Sequence, residues 1–245
     1  MKRLCLGLFA LAVFSLLMPT AHAANDFRLL QLNGREVKWG VAKSGTGATL
    51  TYAVLTAKAS VAGVENCRAT TSVIPLLMQS ALSRADFDRE LSAALEIWES
   101  AANLHFVPAR DPAKADLAIG AEAVADGEGY ADVTSVSLPG QPFDRITKGI
   151  VCLNPDLRWK TEAVQNVGIG KNDQRSYRLR IVLAHEIGHV LGLDHPSPHG
   201  ELMSFEYDNA ISGLQPGDVA GIIELYGSSR TGGATGGVAV SALNR

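Results

Sequence analysis

One stretch decides how this 245-residue chain folds: Arg178-Leu-Arg-Ile-Val-Leu-Ala-His-Glu-Ile-Gly-His-Val-Leu-Gly-Leu-Asp-His195. Its apolar residues recur at helical spacing, so we expect a helix that packs against a core. Gly192 is expected to end that helix, because glycine readily adopts a positive φ. His185 and His189 are four residues apart, which places their imidazoles one turn apart on the same face. The stretch therefore predicts a buried helix that carries two side chains of one site.

A third histidine, His195, follows three residues after Gly192 and approaches from outside the helix. Imidazole nitrogens bind zinc at about 2.0–2.1 Å, and three protein ligands with one open position are typical of catalytic zinc. Glu186 is next to His185, where we expect it to act as general base and acid toward a zinc-activated water. A lone histidine on an apolar helix is usually a core residue, but the combined spacing disfavours that interpretation.

Residues 1–23 have the pattern of a signal peptide. Lys2 and Arg3 are followed by an apolar run, and Ala21-His22-Ala23 resembles a signal-peptidase site. The run is too short to cross a membrane, and no other segment is long and apolar enough. We therefore expect a secreted or periplasmic protein without a membrane anchor.

The remaining length and charge favour one globular unit. We expect an N-terminal segment at 24–37, a single catalytic domain at 38–227 and a flexible tail at 228–245, whose Ser, Thr and Gly residues favour disorder. The formal net charge of −3 argues against a nucleic-acid partner or a polybasic membrane contact. We expect a monomer.

Two cysteines, Cys67 and Cys152, remain after the signal peptide is removed. An even pair in an oxidising compartment predicts one disulfide. The alternative is a thiolate from one of them that binds the zinc and keeps the protein latent. A free thiol in the mature protein would distinguish the two.

Periodicity and turn residues predict the other elements. A helix is expected from Ser83, which resembles a capping box with Asp86 three residues on, to about Ala102, and another helix over 218–226. Residues 57–80 are expected to be a loop-like insertion and 154–176 a polar connection. His105 has no partner by spacing and is expected to be a structural or surface residue. His199 is expected to lie near the site without binding the metal, because three ligands are already in place. The predicted strands lie near 49–55, 104–107, 116–120, 127–136 and 149–154.

The motif His185-Glu186-x-x-His189-x-x-Gly192-x-x-His195 resembles the zinc signature of the metzincin metallopeptidases. Met203 lies where that family has a methionine-bearing turn beneath the metal. The pattern Leu214…Asp-Val-x-Gly-Ile…Leu-Tyr-Gly227 is similar to the terminal helix of the matrixin branch, and Tyr207 matches a tyrosine that lines the matrixin substrate pocket. The resemblance implies a compact, exported, zinc-dependent endopeptidase that acts on proteins or peptides.

The resemblance also implies an architecture. A matrixin-like domain is α+β: a twisted, mostly parallel sheet with one antiparallel edge strand, packed on two long helices plus a C-terminal helix. The edge strand is expected to include Gly129, Tyr130 and Ala131 and to bind substrate by β-augmentation. Phe205 and Tyr207 suggest an apolar preference in the pocket.

Several residues depart from the family pattern. Asp132 stands where matrixins often place a histidine of a second zinc site, so we expect one Zn²⁺ only; structural Ca²⁺ is left open without a motif to support it. Pro196 is more typical of serralysins, but their calcium-binding repeats are absent from the sequence.

The competing hypothesis is a secreted protein that holds peptide without cleaving it. Glu186 argues against it, because a zinc holder alone does not need that carboxylate.

Overall fold

The structure, a computed structural model, describes residues 27–59, 63–122, 127–163, 176–197 and 199–229. The predicted signal peptide and all of the predicted tail beyond Ser229 lie outside these residues. The strands are β1 (Arg28–Leu29), β2 (Gln31–Leu32), β3 (Arg35–Lys38), β4 (Ala48–Val54), β5 (Thr70–Thr71), β6 (Leu104–Pro108), β7 (Leu117–Glu122), β8 (Gly129–Val136), β9 (Asp144–Leu153), β10 (Arg158–Lys160), β11 (Ser176–Arg178) and β12 (Leu193–Asp194). The helices are α1 (Ile74–Ser80), α2 (Arg84–Ala101), α3 (Leu179–Val190) and α4 (Pro216–Tyr226).

The main sheet has the strand order β2-β3-β9-β7-β4-β6, and β8 pairs antiparallel with β9. The central pairs β3–β9, β9–β7, β7–β4 and β4–β6 are parallel. This confirms the predicted α+β class and its antiparallel edge strand. Two further antiparallel pairs, β2–β3 and β5–β7, were not expected. None of the helices in the described ranges has the length and hydrophobicity that a bilayer-crossing segment requires.

The helix α3 lies between α2 and the sheet, in contact with α2, β8 and β9. The long helix α2 begins, as predicted, at a capping box formed by Ser83 and Asp86. Trp98 of α2 is fully buried and donates its indole N–H to the backbone oxygen of Ala184, 2.9 Å away. This hydrogen bond fixes α3 against α2.

Two segments that were expected to be irregular connections contain regular structure. The predicted insertion at 57–80 ends in helix α1, because Leu76 and Leu77 bury their side chains in the core. The predicted polar connection contains β10, whose Trp159 is fully buried and bonds through its backbone N–H to Ser80 Oγ at 2.9 Å. These core contacts come from distant parts of the chain, so local polarity did not indicate them. Ser228, the first residue of the predicted tail, forms a bridge with Ala102.

The expected disulfide joins Cys67, in the loop before α1, to Cys152 of β9. Side chains alternate along β7, so Leu117 and Ile119 enter the main core and Ala118 packs near the disulfide on the other sheet face. Because both sulfurs are bonded to each other, neither provides the thiolate latch.

Candidate metal centre and peptide-binding cleft

Two histidines of the predicted site lie on α3, and a sharp turn brings the third to them. Gly192 has φ of 101°, and a Cβ there would lie 2.4 Å from the backbone oxygen of Val37. Only glycine fits this turn without strain. The chain then forms β12 against β1 and presents His195 to His185 and His189.

The three imidazoles converge through their Nε2 atoms. His195 Nε2 lies 3.1 Å from Nε2 of both His185 and His189. The Nδ1 atoms of the helical pair face backbone oxygens, His185 that of Leu202 at 2.7 Å and His189 that of Leu193 at 2.9 Å. An Nδ1–H that donates to a carbonyl leaves Nε2 as a bare lone pair.

This arrangement fits a zinc ion. Ligand nitrogens at about 2.0–2.1 Å from a tetrahedral ion are separated by about 3.3 Å, close to the observed spacing. Lone pairs facing one another at this distance repel unless a cation lies among them. Burial lowers the pKa of His185 to about 4, and burial also lowers the pKa of His189 and of His195. The three side chains are therefore neutral at physiological pH, as metal ligation requires.

A methionine-bearing turn packs against α3, the helix that carries His185 and His189. Met203 is buried, and its Sδ approaches α3 so closely that a Cβ on Gly188 would lie 2.3 Å away. The backbone N–H groups of Leu202 and Met203 donate to the carboxylate of Asp218, at 2.7 and 3.0 Å. The α4 carboxylate therefore holds the turn that places Met203 against α3.

Glu186 is buried beside the histidine cluster and close to the edge strand. It is 6% exposed, and a Cβ on Gly129 would lie 3.4 Å from its Oε1. Burial raises the pKa of its carboxyl to about 8, and the nearby Glu128 carboxylate adds to this shift. A buried carboxyl with a raised pKa suits proton transfer near neutrality.

A cleft of about 810 Å³ lies over the cluster. The described residues that line it include most of the predicted site: His185, Glu186, His189, His195, Gly129, Tyr130, Ala131 and Tyr207. Met203 and the two disulfide cysteines are not among them. The edge strand β8 pairs with β9 along one side only, within the described part of the chain. Tyr207 also lines the cleft, and its hydroxyl accepts a hydrogen bond from the backbone N–H of Arg178 at 3.0 Å. The aromatic ring of Tyr177 packs against it.

Neither of the two spare histidines belongs to the cluster. His105 pairs with Glu99 on the surface, and His199 lies 3.7 Å from Glu206. Two residues near the site, Asp218 and Glu128, were not predicted from the sequence. The sequence indicated Asp218 only as part of a helix pattern. Its place in the first turn of α4 is the signal that could have identified it, because a carboxylate there can accept backbone N–H groups of a neighbouring turn.

Comparisons with known proteins agree with this geometry. A model of the Matrixin peptidase family matches residues 66–227. Interstitial collagenase of Oryctolagus cuniculus is 32% identical over 158 residues, which are 61% of this chain and 30% of the collagenase. Karilysin of Tannerella forsythia is 26% identical over 153 residues, 60% of this chain and 30% of karilysin. The hatching enzyme of Paracentrotus lividus is 27% identical over 160 residues, 64% of this chain and 25% of that enzyme.

The chain thus spans under a third of the length of these relatives. The family match covers well over half of this chain and includes all three clustered histidines, Glu186 and Met203. The protein belongs to the matrixin family of zinc metallopeptidases.

Proposed function

We propose that this protein is a zinc-dependent endopeptidase that hydrolyses peptide bonds in proteins or peptides, with Glu186 as general base and acid. The observation that carries the proposal is the convergence of three Nε2 atoms beside a buried carboxylate at the floor of an open cleft. His185, His189 and His195 would hold one Zn²⁺. When bound, the ion supplies Lewis acidity toward water and the scissile carbonyl.

Substrate orientation would depend on β8. Its outer edge is not paired with any strand of the described residues, so an extended peptide can add to the sheet there. Gly129 and Ala131 lie on this strand above Glu186, and Gly129 keeps the approach open because it has no side chain. Tyr207 also lines the cleft. A peptide held in this way would pass directly over the histidine cluster.

Glu186 would move the proton. Its carboxylate removes a proton from the attacking water and delivers it to the leaving amine. Burial and Glu128 keep the proton affinity of Glu186 high, which favours its uptake of a proton. The positive charge of a bound metal ion favours the ionised carboxylate that must accept that proton.

The decisive experiment compares variants in zinc content and peptide cleavage. Glu186→Ala should keep zinc and lose cleavage of a quenched peptide by at least about a hundredfold, a typical general-base contribution. His189→Ala should lose both zinc and cleavage. Glu96→Ala, on the exposed face of α2, is the control and should keep both. The proposal would be refuted if Glu186→Ala cleaved the peptide as fast as wild type does. It would also be refuted if a chelator left cleavage by the wild-type protein unchanged.

We further propose that the protein is exported and acts as a monomer. The signal-like pattern of residues 1–23 supports export, because it has a charged start, an apolar run and a small-residue cleavage site. N-terminal sequencing of the mature protein should begin at Ala24. Light scattering should give the mass of a single chain; a dimer mass or a retained N-terminus would contradict these two proposals.

A further inference from the structure

The cleft that the proposed function uses is strongly acidic. Among the described residues that line it there are several carboxylates in addition to Glu186, and no lysine or arginine. The charge of the lining is therefore more one-sided than that of the chain, which has 22 basic and 25 acidic residues. A peptide in this cleft meets a negative potential.

Several of these carboxylates are occupied by contacts within the protein; that of Glu201, for example, accepts the backbone N–H groups of Gly217 and Asp218 at 3.0 and 3.3 Å. Asp132 accepts hydrogen bonds from the backbone N–H groups of Asn66 and Cys67, each at 2.8 Å. Asp194 forms an ion pair with Arg28 at 3.1 Å. These contacts have structural roles, so they do not by themselves indicate a ligand.

Three other carboxylates lie exposed on the rim: Glu65, Glu206 and Asp208. None of them pairs with a lysine or arginine of the described residues. Glu206 faces only His199, which is itself exposed. Exposed carboxylates of this kind are available to a substrate.

The carboxylates lie at both ends of the substrate path defined by β8. Glu128 directly precedes the first residue of β8, and it accepts a hydrogen bond from the Tyr177 hydroxyl. Glu65 lies near the other end of β8. Gly63, two residues before it, is close to Thr134 in the second half of that strand, since a Cβ on Gly63 would be 3.4 Å from the Thr134 side chain. Charges therefore flank the histidine cluster on both sides.

An exposed aromatic ring provides an independent observation. Phe205 is 73% exposed although it lines the cleft, and it packs perpendicular to His195 with ring centroids 5.2 Å apart. It is directly followed by Glu206. An exposed ring beside a carboxylate matches an arginine or lysine side chain, whose apolar stem and cationic head use both.

We propose that this cleft selects cationic peptides, with lysine or arginine residues on both sides of the bond to be cleaved. The inference rests on the proposed peptidase function and names its substrate class. Exposed Glu65, Glu206 and Asp208 would attract the basic side chains, and Phe205 would contact one of them. Acidic peptides would be rejected by like-charge repulsion.

The test uses three quenched peptides with one common core and flanking residues that are all lysine, all glutamine or all glutamate. Wild-type kcat/KM should follow the order lysine, glutamine, glutamate, with roughly a tenfold or larger ratio between the extremes at low salt. At about 0.5 M salt the ratio should shrink several-fold, because the screening length falls to a few ångströms. Equal rates for the three peptides would overturn the inference while leaving the peptidase function intact.

A charge-neutralised variant locates the effect. The triple variant Glu65→Gln, Glu206→Gln, Asp208→Asn should reduce the lysine-to-glutamate ratio to about two or three, since the steering charges are gone. The matched control Glu96→Gln, Asp111→Asn, Glu162→Gln removes the same charge from exposed positions outside the cleft and should keep the wild-type ratio. An unchanged ratio in the cleft variant, or an equal drop in the control, would overturn the inference.

A binding measurement separates failure of the inference from failure of the peptidase proposal. Fluorescence anisotropy with the Glu186→Ala protein should show the labelled lysine peptide binding several-fold more tightly than the glutamate peptide. If no peptide is cleaved by wild type, the peptidase proposal fails and this binding ratio still decides the charge preference. Equal affinities would overturn it.

Discussion

Asp218 and His185 are joined through the backbone of a single residue, Leu202. The Asp218 carboxylate accepts from the Leu202 N–H at 2.7 Å, and the Leu202 carbonyl oxygen faces His185 Nδ1 at the same distance. A buried charge in α4 thus orients an imidazole on α3. Partners of this kind fix the tautomer and the direction of a metal-binding histidine.

Asp218→Asn should weaken both the fold and the metal site. An amide cannot accept all the backbone N–H groups that the carboxylate accepts, so we expect a loss of about 1.5–3 kcal/mol in the free energy of unfolding. We also expect about a 10- to 100-fold drop in zinc affinity. Urea denaturation and competition with a chromogenic chelator measure the two effects. Asp88→Asn, on the surface of α2, is the control; a similar loss there would contradict this explanation.

Gly188→Ala should be destabilising because no space exists for the added methyl group. A Cβ there would lie 2.3 Å from Met203 Sδ and 2.9 Å from Trp98 Cζ2. We expect a cost of about 1–3 kcal/mol from overpacking, measured by thermal denaturation. Gly213→Ala, where a Cβ meets no atom within 4 Å, should be tolerated. Equal stability of Gly188→Ala and wild type would show that the Met203 turn adjusts freely.

Zinc should be retained on mild acidification. Protons displace a metal only when they bind its ligands, and burial lowers the pKa of His185 to about 4. At about pH 5.5, a unit below the ordinary imidazole pKa, the protein should still hold zinc, and it should lose the ion as the pH passes 4. Metal analysis after desalting at each pH measures this. Release already near pH 6.5 would contradict the observed burial.

The metal-free protein should show the corresponding loss of stability. Between about pH 6.5 and 4 the three unfolded imidazoles bind protons that the folded ones do not. This outweighs the protons that the carboxyls of Glu186 and Asp218, with their raised pKa values, hold in the folded state, so the free energy of unfolding falls as the pH falls through this window. Urea midpoints of the apo-protein at several pH values measure the slope. A pH-independent midpoint across the window would contradict the lowered histidine pKa values.

Removing the disulfide should destabilise the protein substantially. Cys67 and Cys152 are 85 residues apart in sequence, and a cross-link over such a distance is worth roughly 2–5 kcal/mol. The double variant Cys67→Ser, Cys152→Ser should therefore unfold at lower urea, and a reducing agent should lower the midpoint of wild type but leave the variant unchanged. Equal midpoints for reduced and oxidised wild type would show that the cross-link contributes nothing.

The amino-acid sequence by itself determined the chemistry of the candidate site and the class of the fold. His185, Glu186 and His189 lie on one helix, where spacing alone fixes which side chains share a face, and Gly192 directly follows the C-cap of that helix. His195 is also local, because a glycine turn needs only a few residues to bring it back. The capping box at Ser83 is another local device that was predicted correctly.

Only the tertiary structure decided which distant groups surround that site. Four residues reach their positions through the packing of separate elements: Asp218 of α4, the exposed Glu65 and Asp208 at the cleft, and the buried Trp159. Periodicity reports the contacts of neighbouring turns and strands, whereas these contacts depend on how whole elements pack. The sequence therefore specifies the three histidines and the helix that carries two of them, and the packed fold specifies their orientation, the burial of Glu186 and the charge of the cleft.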